Sequence, residues 1–328
     1  MVFIPKTQDM KKTIITLLAA VVGIPVLTLL LDSSISPTQI QMLKVVGGIY
    51  LITSILSFII SELSKNYSQV DKLWSIIPAV YIWTVAAMSD FEPRALLMAV
   101  VATVWSIRLT YNFNRRGGYS LRFWEGEEDY RWAVLRRNPI LANKWVWKLF
   151  NLVFISFYQH GLLLLITVPM IAVVGSETPL GLMDLMISIL FISFVAYETI
   201  ADQQQWNYQN EKHRLRKANL PMEAKFQRGF IAEGLWKLSR HPNYFAEQSI
   251  WVVFYLFSIV ATGNWFNWTI CGSVLLIMLF QGSANFSEGI TAEKYPDYKE
   301  YQKWVPKFLP KVWIAESKLS KTLVNAEH

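Results

Sequence analysis

The sequence predicts an all-α fold: a polytopic membrane bundle of about eight transmembrane helices with both termini cytosolic. Three observations predict it. Of the 328 residues 53% are hydrophobic and only 17% charged, with 14 Trp, 14 Tyr and 19 Phe and a mean hydropathy of +0.29. A soluble chain rarely combines these values. Apolar runs near the ~20 residues that a bilayer requires recur along the chain. Lys and Arg fall almost wholly in alternate loops, as the positive-inside rule demands.

The spans are expected near residues 13–31, 43–61, 74–89, 95–112, 149–174, 180–201, 245–262 and 265–282, the third and the last two being short. The first follows Lys11-Lys12 without a small-residue cleavage site, so it reads as a span and not as a signal peptide. With the N-terminus inside, all but Lys44, Arg94 and Arg108 of the 31 Lys and Arg lie on the cytosolic side. That side then holds the 113–148 loop, the 202–244 loop and the C-terminal tail, and with them most of the polar chemistry.

Several function classes drop out. The net charge of +7 and pI near 9.3 are accounted for by positive-inside loops, so no nucleic-acid partner is implied. The single cysteine, Cys271, excludes an intramolecular disulfide framework. Four scattered histidines form no metal-ligand cluster, and no Gly-x-Gly-x-x-Gly or strand–helix pair supports a Rossmann domain. A nucleotide here would have to be held by the bundle and its loops.

The chemistry concentrates in the stretch Gly234 to Gln248, which carries Ser239, Arg240, His241, Asn243, Tyr244, Glu247 and Gln248 ahead of an apolar run. Pro242 suits the first turn of a helix. Asn243 and Glu247, four apart, then share a face. Carboxylates and amides at a membrane mouth are costly and mark a site. Span six ends with Glu198, Asp202 and Gln205 on one face, carboxylates and an amide suited to hydroxyl and amino groups. Arg108, Asn112, Arg115 and Arg116 cluster at the cytosolic end of span four, where guanidinium forks suit phosphate. The basic run Lys212 to Lys217 includes Arg214, a second phosphate candidate beside its plainer role as a membrane anchor. The tail from Glu288 to Pro310 reads as an amphipathic helix broken at Pro296 and closed by turns at Pro306 and Pro310.

Gly234-Leu-Trp, Ser239-Arg-His-Pro-Asn-Tyr-Phe-Ala-Glu247, Ala201-Asp-Gln-Gln-Gln205, Glu128-Asp-Tyr-Arg131, Asp71-x-x-Trp74 and the tail's Val-Pro and Leu-Pro pairs resemble the DUF1295 membrane-protein family. The resemblance covers about residues 65–312, leaving residues 1–64 as N-terminal transmembrane helices and 313–328 as a polar tail. DUF1295 is similar in turn to the steroid 5-alpha-reductase C-terminal domain, within a wider group of sterol reductases and isoprenylcysteine methyltransferases. That similarity implies NADPH binding by Asn243 and Glu247, with Asp202, Arg108 and Arg116 as further cofactor residues; Gln205 joins them from its spacing to Asp202 alone. Trp105 stands where the steroid reductases carry the tyrosine that polarises the enone carbonyl, and an indole N–H is a poorer proton donor. Tyr244 and Asp71 are the remaining candidates for that role.

Two enzyme readings follow. In one, a membrane reductase transfers hydride from NADPH to a carbon–carbon double bond of a lipid or sterol-like substrate, with Arg108, Arg116 and Arg214 on the phosphates. In the other, an S-adenosylmethionine-dependent methyltransferase uses Arg240 and His241 to hold its cofactor, with Glu288 and Glu293 near cofactor or substrate. A non-catalytic lipid-binding membrane protein is the third class. The expected membrane is the endoplasmic reticulum if the source is eukaryotic and the inner membrane if it is bacterial.

Overall fold

Helix α2 (Pro37–Ser64) inverts the amphipathic rule of soluble proteins. Its Leu51, Ile52, Ile55, Leu56 and Ile59 are exposed, whereas Ser54, Ser57 and Ser61 are buried. Apolar residues outward and hydroxyls inward is the arrangement that lipid selects, because only the interior can satisfy polar groups. The helix starts on a reciprocal cap: Gln39 N–H donates to Ser36 Oγ, Ser36 N–H donates to Gln39 Oε1, and Pro37 occupies the first turn. It stops at Lys65, whose left-handed backbone (φ 59°) returns its N–H to the Ser61 carbonyl.

The computed structural model describes residues 7–32, 35–122 and 124–311, so the expected polar tail 313–328 lies outside the described residues. Those residues form helices and connecting turns, with no strand among them. In order they are α1 (Thr7–Leu31), α2, α3 (Gln69–Leu73), α4 (Ile77–Met88), α5 (Pro93–Asn114), α6 (Tyr130–Arg136) and α7 (Lys144–Phe150). A π-helix (Asn151–Tyr158) runs into α8 (Gln159–Leu165), followed by α9 (Pro169–Ala172), α10 (Leu182–Lys217) and α11 (Ala224–Gln227). Then come α12 (Pro242–Thr262), α13 (Cys271–Lys294) and α14 (Tyr298–Trp304).

Among the described residues six segments are long and apolar enough to cross a bilayer: Pro37–Ser64, Pro93–Asn114, Lys144–Ala172, Leu182–Lys217, Pro242–Thr262 and Trp268–Lys294. Two shorter apolar helices, Ile15–Leu31 and Ile77–Met88, stand where the first and third expected spans fall. The chain is thus an integral, multi-pass, all-helical membrane protein. It divides into two units, between which the backbone passes within α10, α12 and α13.

The larger unit comprises Lys6–Ser193 and Ile250–Leu279. Within it α4 packs on α5, and α2 packs on α4, α8 and the π-helix. Aromatic pairs fill its core. Trp105 and Trp251 are both fully buried and meet edge to face at 4.8 Å, so the indole expected near a substrate carbonyl is a packing residue of this core. Gly272 has no substitute: a Cβ there would sit 2.1 Å from the Leu165 carbonyl oxygen. Arg94 and Asp184 form a buried ion pair, Nε to Oδ1 at 2.7 Å and Nη2 to Oδ2 at 3.1 Å. Arg94 also donates to the carbonyls of Thr178 and Pro179, so the pair pins the turn before α10.

The smaller unit comprises Phe194–Ser249 and the chain from Phe280. Tyr208, Leu215, Phe226, Ile231 and Trp236 form one apolar cluster, and Phe230, Ala232, Tyr298, Tyr301 and Val305 another. Gly229 is required between them: its φ is +88°, and a Cβ would meet the Tyr295 ring at 2.0 Å. The tail runs alongside the segment before α12. Arg240 N–H donates to Pro306, His241 N–H to Lys307, and Lys311 N–H to Leu238.

Candidate functional site

Pro242 opens α12, as its lack of an N–H and fixed φ favour. Asn243 follows in the first turn, where its Oδ1 accepts from Tyr244 N–H at 3.0 Å and its Nδ2 donates to Asp202 Oδ1 at 3.1 Å. One side chain therefore secures a helix start and joins α12 to α10. Glu247 lies one turn on and is 4% exposed, as is Asp202. Glu198, one turn before Asp202, is 5% exposed. Three carboxylates are thus buried on two helices of the smaller unit, with the half-buried Asn243 amide bonded to one of them.

Among the buried polar atoms of α10 with no hydrogen-bond partner among the described residues are the Tyr197 hydroxyl and the Gln205 Oε1. One lies on the turn before Asp202 and the other on the turn after it. An orphaned donor and an orphaned acceptor are each costly inside a protein. Glu198 was visible in the sequence as the partner of Asp202 in spacing. Tyr197 was not, because a lone aromatic at a membrane interface is ordinarily an anchor.

Arg240 and His241 are engaged differently. Arg240 Nε donates to Glu288 Oε1 at 2.7 Å, and His241 Nε2 lies 2.9 Å from the same oxygen. Gln302 Nε2 donates to Glu288 Oε2 at 2.9 Å, and Arg240 Nη1 to the carbonyls of Gln302 and Val305. Glu288 is the hub of a satisfied ionic cluster that ties α13, the tail and the entry to α12 together. Tyr244 stacks on the His241 ring at 5.2 Å and meets Phe280 edge-on at 4.6 Å. Among the described residues no partner is recorded for its hydroxyl, which leaves the phenol able to donate. Arg214 is exposed and paired with Glu211, Nη2 to Oε1 at 2.7 Å.

The other predicted residues belong to the larger unit. Arg108 is half-buried near the C-terminal end of α5, and Arg116 is exposed just beyond it. Asp71, on α3, accepts from the Trp132 indole N–H at 3.3 Å. Burial, and next the neighbouring Asp129 carboxylate, push its pKa up to about 6. Burial would raise Asp129 as well, but Arg131, clamped on both its oxygens, outweighs that and holds it below the usual carboxylate range. Two adjacent carboxyls with opposite shifts are the pattern expected when one is kept ready to carry a proton. Among the described residues no group of three His, Cys, Asp or Glu is placed to hold a metal ion.

The chain is similar to "Uncharacterized protein C594.04c" of Schizosaccharomyces pombe, with 36% identity over 282 residues that cover 80% of each chain. No solved structure matches it. A family model described as "Protein of unknown function (DUF1295)" matches residues 57–305, a range that reaches into both units and includes every candidate residue above, and the chain belongs to that family.

Proposed function

We propose that this protein is a membrane-embedded reductase that uses NADPH to saturate a carbon–carbon double bond in a lipid or sterol-like substrate. The observation that carries the reading is the Asn243–Asp202 hydrogen bond, with Glu247 buried one turn further along α12. It gives the Asn-x-x-x-Glu pair, which in the similar steroid reductases binds NADPH, a built setting in which Glu247 is buried and Asn243 is held by Asp202. The Tyr197 hydroxyl and Gln205 Oε1, on the same helix as Asp202, are a donor and an acceptor with no hydrogen-bond partner among the described residues. Arg240 and His241, which the methyltransferase reading needs for its cofactor, are committed to Glu288.

NADPH, when bound, supplies the hydride. Asn243 and Glu247 orient its carboxamide end, and Asp202 holds Asn243 in place. The reduced substrate gains a hydride at one carbon and a proton at its neighbour, so the site needs a proton donor. Tyr244, with its uncommitted phenol, and Asp71, with its raised pKa, are the candidates. Arg108, Arg116 and Arg214 are the candidates for phosphate. The distribution of Lys and Arg supports a cytosolic side for both termini and the smaller unit's loops, where NADPH is available. The membrane would be the endoplasmic reticulum in a eukaryote and the inner membrane in a bacterium.

Calorimetry on detergent-solubilised protein tests this directly. NADPH is expected to bind and S-adenosylmethionine not to. Glu247→Gln and Asn243→Ala should each weaken NADPH by about tenfold or more, the scale of a hydrogen bond to a charged or amide partner. Binding of S-adenosylmethionine alone would overturn the proposal.

A further inference from the structure

We infer that a recess on the lipid-facing side of α4, in the larger unit, binds one membrane lipid: a hydrocarbon chain whose small uncharged head carries a hydroxyl group. The inference does not depend on the reductase reading. The recess has a volume of about 510 Å³. That lies within the ~300–1,000 Å³ of small-molecule sites. Its lining comes from Ala79, Val80, Trp83, Thr84 and Ala87 of α4 and from Ser106 of α5.

The sequence of α4 makes the recess. Ile77, Tyr81, Ile82 and Val85 turn into the bundle and are buried. Ile76, Val80, Trp83 and Ala87 recur at helical spacing on the opposite side and are exposed. Ala79 and Ala87 stand one turn on either side of Trp83, so two methyl groups flank a large ring. Trp83 Nε1 donates to Thr103 Oγ1 on α5 at 2.9 Å, which holds the ring in place. On α5, Leu96, Val100, Val104 and Ile107 continue the exposed apolar surface along a full-length span. The recess is thus continuous with the surface that the bilayer covers, and lipid is its occupant.

Length and chemistry narrow which lipid. From Ile76, which also lines the recess, to Ala87 the helix rises roughly 16 Å. That is about half of the ~30 Å hydrocarbon core, the reach of one chain in one leaflet. A crossing helix of a second copy needs ~20 residues of matching face, and α4 has 12. The polar groups of the lining have spent their hydrogens. Trp83 donates to Thr103, Thr84 Oγ1 to the Val80 carbonyl at 2.7 Å, and Ser106 Oγ to the Ser75 carbonyl at 2.7 Å. What these hydroxyls still offer is acceptor lone pairs, and among the described residues no charged side chain lines the recess. An ester, carboxylate or phosphate head finds no donor in that lining, whereas a hydroxyl donates to Ser106 Oγ. Ser106 reaches Ser75, at the start of α4, so the head sits there and the chain runs toward Ala87.

Photolabelling tests the site. The full-length protein in phosphatidylcholine nanodiscs is labelled with an alkyne-tagged, diazirine-bearing oleyl alcohol, and the labelled peptides are mapped. Saturable label is expected on peptides containing residues 76–87 or 103–106. Unlabelled oleyl alcohol should compete with it, and methyl oleate, whose head only accepts, should compete about five- to tenfold less well, the worth of one net hydrogen bond. Ala87→Phe fills the recess from an exposed position and should lower the labelling about tenfold or more. Ser106→Ala should bring the two competitors level. Label confined to other helices, equal competition by methyl oleate on the wild-type protein, or wild-type labelling of Ala87→Phe would overturn the proposal. So would a dimer that Ala87→Phe dissociates, with no label at 76–87, since the face would then join two copies. The competition arm uses the wild-type protein alone and so decides the matter even if a variant fails to fold.

Discussion

Two polar clusters flank the same short segment of the smaller unit, and they differ in how completely they are satisfied. On one side, Glu288 accepts from Arg240, His241 and Gln302 and leaves no oxygen idle. On the other, Asn243 bridges to Asp202 while the Tyr197 hydroxyl and Gln205 carbonyl stay unmatched nearby on α10. Arg240-His241 and Asn243 are separated only by Pro242, yet they belong to different kinds of structure. A closed cluster holds the fold, because each group's desolvation is offset inside the protein. An open one keeps hydrogen-bonding capacity for something that binds. Residues adjacent in a motif need not share its function.

Breaking the closed cluster should have the largest effect. Glu288→Ala leaves Arg240 buried without its carboxylate, and loss of about 3–5 kcal/mol is expected for a disrupted buried pair. Unfolding midpoints in detergent should fall sharply, with earlier proteolysis of the tail after residue 304. If the variant instead keeps its midpoint and loses only cofactor binding, the closed cluster is part of the site.

Opening the second cluster further should do the reverse. Glu247→Gln keeps the shape of the side chain, so its effect should appear as about tenfold weaker NADPH at nearly unchanged thermal stability. Comparing the binding and unfolding curves of the same preparation separates the two roles.

A third test concerns Asp71. Its folded-state pKa, about 6, lies above the ordinary 3.8, so the folded protein binds the proton more tightly than the unfolded chain. Stability from this group is therefore present at low pH and is lost as pH rises through about 6. Asp71→Asn should raise the unfolding midpoint at pH 7.5, with the advantage shrinking as the pH is lowered toward 4. An advantage constant across this range would remove Asp71 from the candidate proton donors.

The smallest effect is expected at Arg214, an exposed residue paired with Glu211. Arg214→Ala should leave the unfolding midpoint unchanged, because surface ion pairs contribute little. Weaker NADPH binding at low salt that disappears at high salt would assign it to the phosphates.

The start of α12 at Pro242 and the break around Pro296 were legible in the chain, since proline restricts φ wherever it occurs. Helix ends were less so. The span expected over 180–201 is the apolar part of a helix that runs to Lys217, because a helix continues past the bilayer wherever its polar residues still favour it. The π-helix at Asn151–Tyr158 carried no signal in its apolar sequence. Asp202 and Asn243 were legible as candidates from type and spacing, but their hydrogen bond joins residues 41 apart in sequence.

The membrane class and helical content followed from hydropathy and charge alone, since the cost of exposing polar backbone to lipid admits few alternatives. Membership of the motif around Asn243 and Glu247 was likewise written locally. Which of its polar groups are spent on each other was decided by packing. Arg240 reaches Glu288 across 48 residues, and His160 meets Ser57 of α2 across 103. Hydrogen-bond satisfaction depends on where distant side chains end, and no local pattern of residue types encodes that.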